Sequence, residues 1–215
     1  MIEVFADIWC PFAYVGMVHL RAARDELAPS LPILVRAWPL EVVNGTPLDP
    51  RTVADEVADL RAQVAPELFT GLDPGHFPTT TIPALGLVAA ARGQDPTGGE
   101  TVGMTLRRWL FEEGRDISDP DVLAEAADAA AVEMPSAAWA RAAVEAEHAL
   151  GRARGVKGSP HFFVGDAESF CPTLRIARAG AHLQITLDHD RMRSWLSGCL
   201  GTDRPAAGGA PSAPA

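Results

Sequence analysis

A chain of 215 residues that is 47% hydrophobic is long enough for one domain with a sizeable core, or one domain carrying a large insertion. Eighteen Lys and Arg against 28 Asp and Glu give a formal charge of -10 and an isoelectric point near 5.0. That balance argues against a non-specific hold on nucleic acid or anionic membrane and turns attention to small-molecule ligands.

The chain opens with IEVFA (2 to 6), a short strand, and from Pro11 the residues Phe12, Val15, His19, Leu20, Ala23 and Leu27 follow a helical stripe that stops before Pro29. PILVRAW (32 to 38) is a second strand, so the opening unit reads as βαβ with parallel strands. From about 50 to 155 only helical patterns follow: Val53 to Val64, PALGLVAAA (83 to 91), Val102 to Leu110, Leu123 to Ala127 and Trp139 to Leu150. Turn signals such as GLDPGHFP, GQDPTGG, DISDP and EMPS join them. Strand patterns return in HFFVG (161 to 165), LRIA (174 to 177) and HLQITL (182 to 187), and a last helix runs from about Asp188 to Leu200. The expected fold is therefore α/β, βαβ…ββα, with residues 1 to 49 and 156 to 200 as the sheet domain and 50 to 155 as an all-helical insertion forming a lid. The small, Pro-rich and Gly-rich residues 201 to 215 read as a disordered tail.

MIEVFADIWC carries no basic n-region or apolar h-region, and nowhere do 18 apolar residues run together, which predicts a cytoplasmic protein without membrane contact. Cys10, Cys171 and Cys199 lie at irregular spacing that suits neither a disulfide framework nor zinc, and no C-x-x-C or H-x-x-x-H spacing exists, so no metal is expected. Lys157 is the only lysine among abundant Ala, Arg, Gly and Pro, a GC-rich composition in which the cellular thiol need not be glutathione.

Cys10 stands before Pro11 at the head of the first helix. There its sulfur lies over unpaired N–H groups at the positive end of the helix dipole, which lowers a thiol pKa and favours a reactive thiolate. The competing reading is a small buried hydrophobe beside Trp9 and Phe12. Far along the chain, GVKGSPHFF (155 to 163) sets Ser159-Pro160 before a strand, where a cis bond would expose a backbone edge to a ligand and lie against Cys10. Cys171 reads either as a late resolving thiol or as a buried structural residue. Cys199 lies on the core face of the last helix, and His19 falls with the apolar stripe of the first.

Together these stretches resemble the DsbA-like branch of the thioredoxin superfamily, which includes the kappa glutathione transferases and the 2-hydroxychromene-2-carboxylate isomerases. The likeness runs from Ile2 to Leu200. In the oxidoreductases the first helix opens with a Cys-Pro-x-Cys type motif, whereas in the isomerases and kappa transferases it opens with Ser-Pro-Phe-x-Tyr and a small residue. CPFAYVG stands between the two: Cys10 takes the nucleophile position, Ala13 replaces the resolving cysteine, and Tyr14 and Gly16 follow the isomerase pattern. GVKGSPHFF resembles the family's cis-proline loop, with Ser159 and His161 departing from its usual Val-Pro-Thr. WPLEVVNGTP resembles the loop that carries a ligand-facing asparagine, here Asn44, and DHDRM the acidic start of the last helix, here Asp190. Asn44-Gly45 also reads as a turn, and Asp188 or Asp190 as a cap.

The resemblance implies a thiol oxidoreductase with Cys10 catalytic. It sets Ser159, Pro160, Asn44 and Asp190 against a low-molecular-weight thiol such as glutathione or mycothiol, and Phe12, Tyr14, Trp38 and His161 against the substrate. No tightly bound cofactor is expected, and the protein would be a monomer or homodimer. With Ala13 unable to attack, a mixed disulfide at Cys10 is expected to persist and to await an external thiol. Two alternatives stand beside this: a thiol-dependent isomerase or transferase acting on a small aromatic substrate, and a non-enzymatic binding domain.

Overall fold

The computed structural model describes residues 1 to 180 and 182 to 201; residues 202 to 215, nearly all of the expected tail, lie outside the described residues. Strand β1 (Ile2–Ala6) is followed by α1 (Pro11–Leu27) and β2 (Ile33–Ala37), which pairs parallel with β1, as the opening pattern predicts. Seventeen residues separated by Pro11 at the first helical position and Ala28 at the C-cap give α1 nearly five turns, enough to bury Ala13, Met17 and Leu20 against the sheet.

Between β2 and the next strand the described residues form only helices: α2 (Leu40–Asn44), α3 (Pro50–Gln63), a single 3-10 turn (Pro74–His76), α4 (Ile82–Gln94), α5 (Gly98–Glu113), α6 (Pro120–Ala129) and α7 (Ala137–Ala153). Their starts are written in the sequence. Asp49 accepts the Thr52 N–H, Asp119 the Asp121 N–H and Ser136 the Trp139 N–H, and Pro50 and Pro120 stand at helix starts where a missing N–H costs nothing. These helices share one continuous core with the sheet, in which Leu60, Leu85, Leu106 and Phe111 are buried together with Ile2, Val4 and Ile33.

Strand β3 (His161–Val164) runs antiparallel to β1, and β4 (Ala167–Phe170) pairs with β3, giving the order β2-β1-β3-β4. This corrects the expected closing pair. AESF, with its mostly exposed residues, forms the fourth strand of the main sheet, while β5 (Leu174–Ala179) and β6 (His182–Leu187) form a separate two-stranded sheet. That hairpin is tied to α3 by side chains. Gln63 donates to the Leu183 carbonyl at 2.8 Å and accepts the Ile185 N–H at 2.9 Å, and Asp59 accepts the Leu183 N–H at 2.7 Å. Helix α8 (His189–Leu200) follows, capped by Asp188, whose side chain accepts the Arg191 N–H.

Strand β2 is an edge, and an unpaired edge invites pairing with another chain. Here it is closed by charge: Glu147 of α7 accepts the Ala37 N–H at 2.7 Å and Arg92 of α4 donates to the Val35 carbonyl at 2.6 Å, while Glu147 is also paired with Arg92 and Arg36. Helices α4 and α7 can approach because residue 86 has no side chain. A methyl built there would lie 2.3 Å from Ala140 Cβ and 2.8 Å from Ala140 Cα. Gly86→Ala is accordingly expected to cost about 1–3 kcal/mol, since one of two packed helices must shift. The check is urea denaturation, read as a lower midpoint at unchanged slope.

Candidate functional site

Cys10 occupies the N-cap of α1 with extended backbone angles, and its carbonyl accepts the Tyr14 N–H at 3.1 Å. Its side chain makes no capping bond; the thiol instead donates to the Ser159 carbonyl at 3.3 Å. The Ser159-Pro160 bond is cis, and Cys10 lies against it, as the pairing of these motifs predicts. Ser159 is held in place because its hydroxyl accepts the Asp7 N–H at 2.9 Å. Gly16 lets α1 sit on this loop: a methyl there would lie 3.0 Å from the Pro160 ring and 3.2 Å from that of Phe162.

Beneath the thiol is a buried charged group. Asp7 is wholly buried and accepts the Ile8 N–H at 2.7 Å and the Leu40 N–H at 2.6 Å, with Thr81 as a further donor. Arg107 of α5, also wholly buried, donates to the Asp7 carbonyl at 3.0 Å and to the Gly103 carbonyl at 2.9 Å. Burial lifts the Asp7 carboxyl from 3.8 to about 6, against the pull of its N–H donors and of the Arg107 guanidinium. Arg107 falls to about 10, again through burial, with Asp7, Cys10 and Tyr14 opposing.

These surroundings overturn the expected low pKa of Cys10. Burial pushes the thiol up to about 12; the Ser159 side chain and the Ala13 N–H near the sulfur pull it down by favouring its charged form, and the charges of Asp7 and Cys171 add to the rise. The helix N-terminus contributes one N–H, whereas the loss of water applies to the whole sulfur. Cys10 is a thiol at neutral pH in the unliganded protein.

Alongside lies a cleft of about 290 Å³ lined by Phe12, Ser159, Phe170, Cys171, Leu174 and Ile176. Its walls are mostly apolar, and Phe170 and Ile176 are exposed. Of the residues expected at the site, Phe12 and Ser159 line this cleft, and the buried Cys10 and Pro160 adjoin it through Ser159 without lining it. The rest lie apart from it. Tyr14 is buried in an aromatic group, stacked on Phe111 and edge-on to Phe69. Trp38 packs with Phe5 and Phe163 and meets the His148 ring. Asn44 is exposed at the end of α2, before Gly45 in the left-handed conformation, so its turn reading holds. Asp190 is exposed in the first turn of α8, where Asp188 is the cap. His161 is buried between Phe163 and Phe170, its Nδ1 accepting the Lys157 N–H at 3.2 Å and Glu168 lying 3.4 Å from Nε2; burial lowers its pKa.

Asp7, Arg107 and Phe170, which no motif singles out, and Cys171, open between a resolving and a structural role, also lie at the candidate site. Two carried a signal. Asp7 interrupts the apolar run FADIWC, and Arg107 is spaced with Gly103, Leu106 and Leu110 on the core face of α5, where a charge requires a buried partner. Phe170 ends a strand whose sequence, AESF, has no apolar pattern.

The family model for the DSBA-like thioredoxin domain matches residues 1–184. No curated protein matches by sequence. Among solved structures, one from Streptomyces coelicolor, described as a probable DsbA oxidoreductase, is 16% identical with a TM-score of 0.63, over 95% of this chain and 92% of that one. A 2-hydroxychromene-2-carboxylate isomerase is 13% identical with a TM-score of 0.56, over 94% of each chain. The cytosolic disulfide reductase DsbM from Pseudomonas aeruginosa, solved with GSH, is 20% identical with a TM-score of 0.51, over 93% of this chain and 98% of that one. At these identities the likeness is one of fold.

Proposed function

This chain belongs to the DSBA-like thioredoxin domain family, and we propose from that premise that it is a thiol-disulfide oxidoreductase working through Cys10. Its partner is a low-molecular-weight thiol or the disulfide of one, seated in the cleft beside Ser159. The observation that carries the reading is the Cys10 thiol bonded to the Ser159 carbonyl at the edge of that cleft. Exchange needs a thiolate, and Asp7, ionised above about pH 6 and close enough for its charge to be felt at Cys10, is the carboxylate we assign to take the proton as the sulfur attacks. One sulfur of the incoming disulfide bonds to Cys10 and the other leaves as a thiolate that gains a proton. Position 13 is alanine, so Cys10 acts without a partner in its own helix. The glutathione bound to DsbM supports glutathione as a first candidate, with mycothiol the second, and a cytosolic setting belongs to the same proposal.

One feature favours a second reading. A thiol pushed up to about 12 keeps its proton and can donate a hydrogen bond, as a hydroxyl would, to the sulfur of a bound thiol cofactor. That is the arrangement an isomerase or transferase on a small aromatic substrate requires.

Intact-protein mass spectrometry after incubation with glutathione disulfide, and separately with mycothiol disulfide, tests the proposal. A disulfide formed at Cys10 and absent from Cys10→Ser supports it. Non-covalent binding of the reduced thiol, seen by calorimetry without exchange at Cys10, transfers support to the second reading. Neither exchange nor binding overturns both and leaves a binding domain for some other ligand.

A further inference from the structure

We propose that Cys171 is the resolving thiol of this site, closing an intramolecular disulfide with Cys10 across the Ser159-Pro160 peptide. The inference rests on the oxidoreductase reading and supplies its second step. The two cysteines are bound to consecutive carbonyls of one loop: the Cys10 thiol donates to the Ser159 oxygen at 3.3 Å, and the Cys171 N–H donates to the Pro160 oxygen at 3.1 Å. The second bond continues the β3–β4 ladder one step past the His161–Phe170 pair, so Cys171 sits directly across from Pro160. Cys171 also lines the cleft together with Ser159 and with Phe12, the second residue of the helix that Cys10 caps.

The backbone at 171 gives no reason for a cysteine. Its φ is +42°, in the left-handed region that favours glycine or asparagine, and a cysteine there costs stability. What the residue adds is a thiol-bearing side chain on a residue that lines the cleft, whose charge is felt at Cys10. Cys199, half-buried on α8, does not line the cleft.

The chemistry balances with a small disulfide as oxidant. The Cys10 thiolate attacks one sulfur of RSSR, releasing RS⁻, which is protonated. The Cys171 thiolate then attacks the Cys10 sulfur of the mixed disulfide and expels the second RS⁻, also protonated. The two cysteines lose two electrons, RSSR becomes two RSH, and the two protons come from the two thiols. The mixed adduct at Cys10 is transient, in place of the persistent one that Ala13 alone would predict.

The test uses the full chain carrying Cys199→Ser, reduced and mixed at about pH 9 with the chromogenic disulfide of thionitrobenzoate. Counting released thionitrobenzoate is not sufficient, because two independent thiols also release two. The expected result is two equivalents released, together with a protein mass lower by two hydrogens and no retained label. Adding Cys171→Ser is expected to give one equivalent released and one label retained on Cys10. Retained label on Cys10 while Cys171 is present overturns the inference alone, and this reading needs no variant at position 171. Failure of the Cys171→Ser protein to react at Cys10 overturns the oxidoreductase reading and the inference with it.

Discussion

Alkylation of Cys10 by iodoacetamide is expected to run about a thousandfold slower at pH 7 than that of an unburied thiol, and to climb about tenfold with each pH unit up to about pH 11. The thiolate is the reacting form, and burial moves the Cys10 pKa from 9.0 to about 12, so each unit of pH below that value removes nine-tenths of the remaining nucleophile. The sign follows from the largest contribution: loss of water disfavours the charged sulfur, and the single N–H of Ala13 and the Ser159 contact recover only part of it. Quantifying the alkylated Cys10 peptide by mass spectrometry against free N-acetylcysteine measures this directly. A rate that levels off below pH 8 would show that the helix N-terminus outweighs burial.

Arg107→Met is expected to lower the unfolding free energy by about 3–5 kcal/mol at pH 8, because it leaves Asp7 buried without the cation that faces it and strips the Asp7 carbonyl of its donor. The loss should shrink in acid. Asp7 has its pKa raised from 3.8 to about 6 on folding, so it favours the folded state most below its unfolded value, and that contribution, about 3 kcal/mol, disappears as pH rises through 6. Above 6 the carboxylate is ionised and Arg107 offsets part of its cost; below about 5 there is no charge for Arg107 to face. Urea unfolding at pH 5 and pH 8 separates the two regimes, and the double variant Arg107→Met with Asp7→Asn should recover part of the loss at pH 8. An equal loss at both pH values would mean that Arg107 acts by packing and hydrogen bonding alone.

The parts of the fold that repeat a period were legible before the structure. The βαβ opening, the helices between β2 and β3, and the last helix carry stripes of apolar residues and caps such as Asp49, Ser136 and Asp188. Strand β4 was not legible, because AESF is mostly exposed and draws its stability from pairing with β3 rather than from its own pattern. Without it, the closing pattern offers only β5 and β6 beside β3, and these two form a sheet of their own. At the site, Cys10 and Ser159-Pro160 could be joined because each motif is local and its chemistry is carried by one or two residues. The pKa of Cys10 could not, because it depends on what covers the sulfur. Trp38 and Tyr14 show the same limit: an aromatic near the motif in sequence is as readily drawn into a core, and both were.

The hairpin held by Gln63 and Asp59 gives the cleft two unlike jaws. One jaw, formed by Phe12, Ser159 and Phe170, belongs to α1, the loop before β3 and the main sheet; the other, Leu174 and Ile176, belongs to β5, which is hydrogen-bonded to β6, tied to α3 by side chains, and anchored with β6 in the core through Leu174, Leu183 and Ile185. The two jaws belong to separate sheets, so their spacing is set by side chains, those of Gln63 and Asp59 together with the buried Leu174, Leu183 and Ile185, and not by a shared ladder. Substitutions at Gln63 and Asp59 are therefore expected to change the width of the cleft from more than a hundred residues away in the chain.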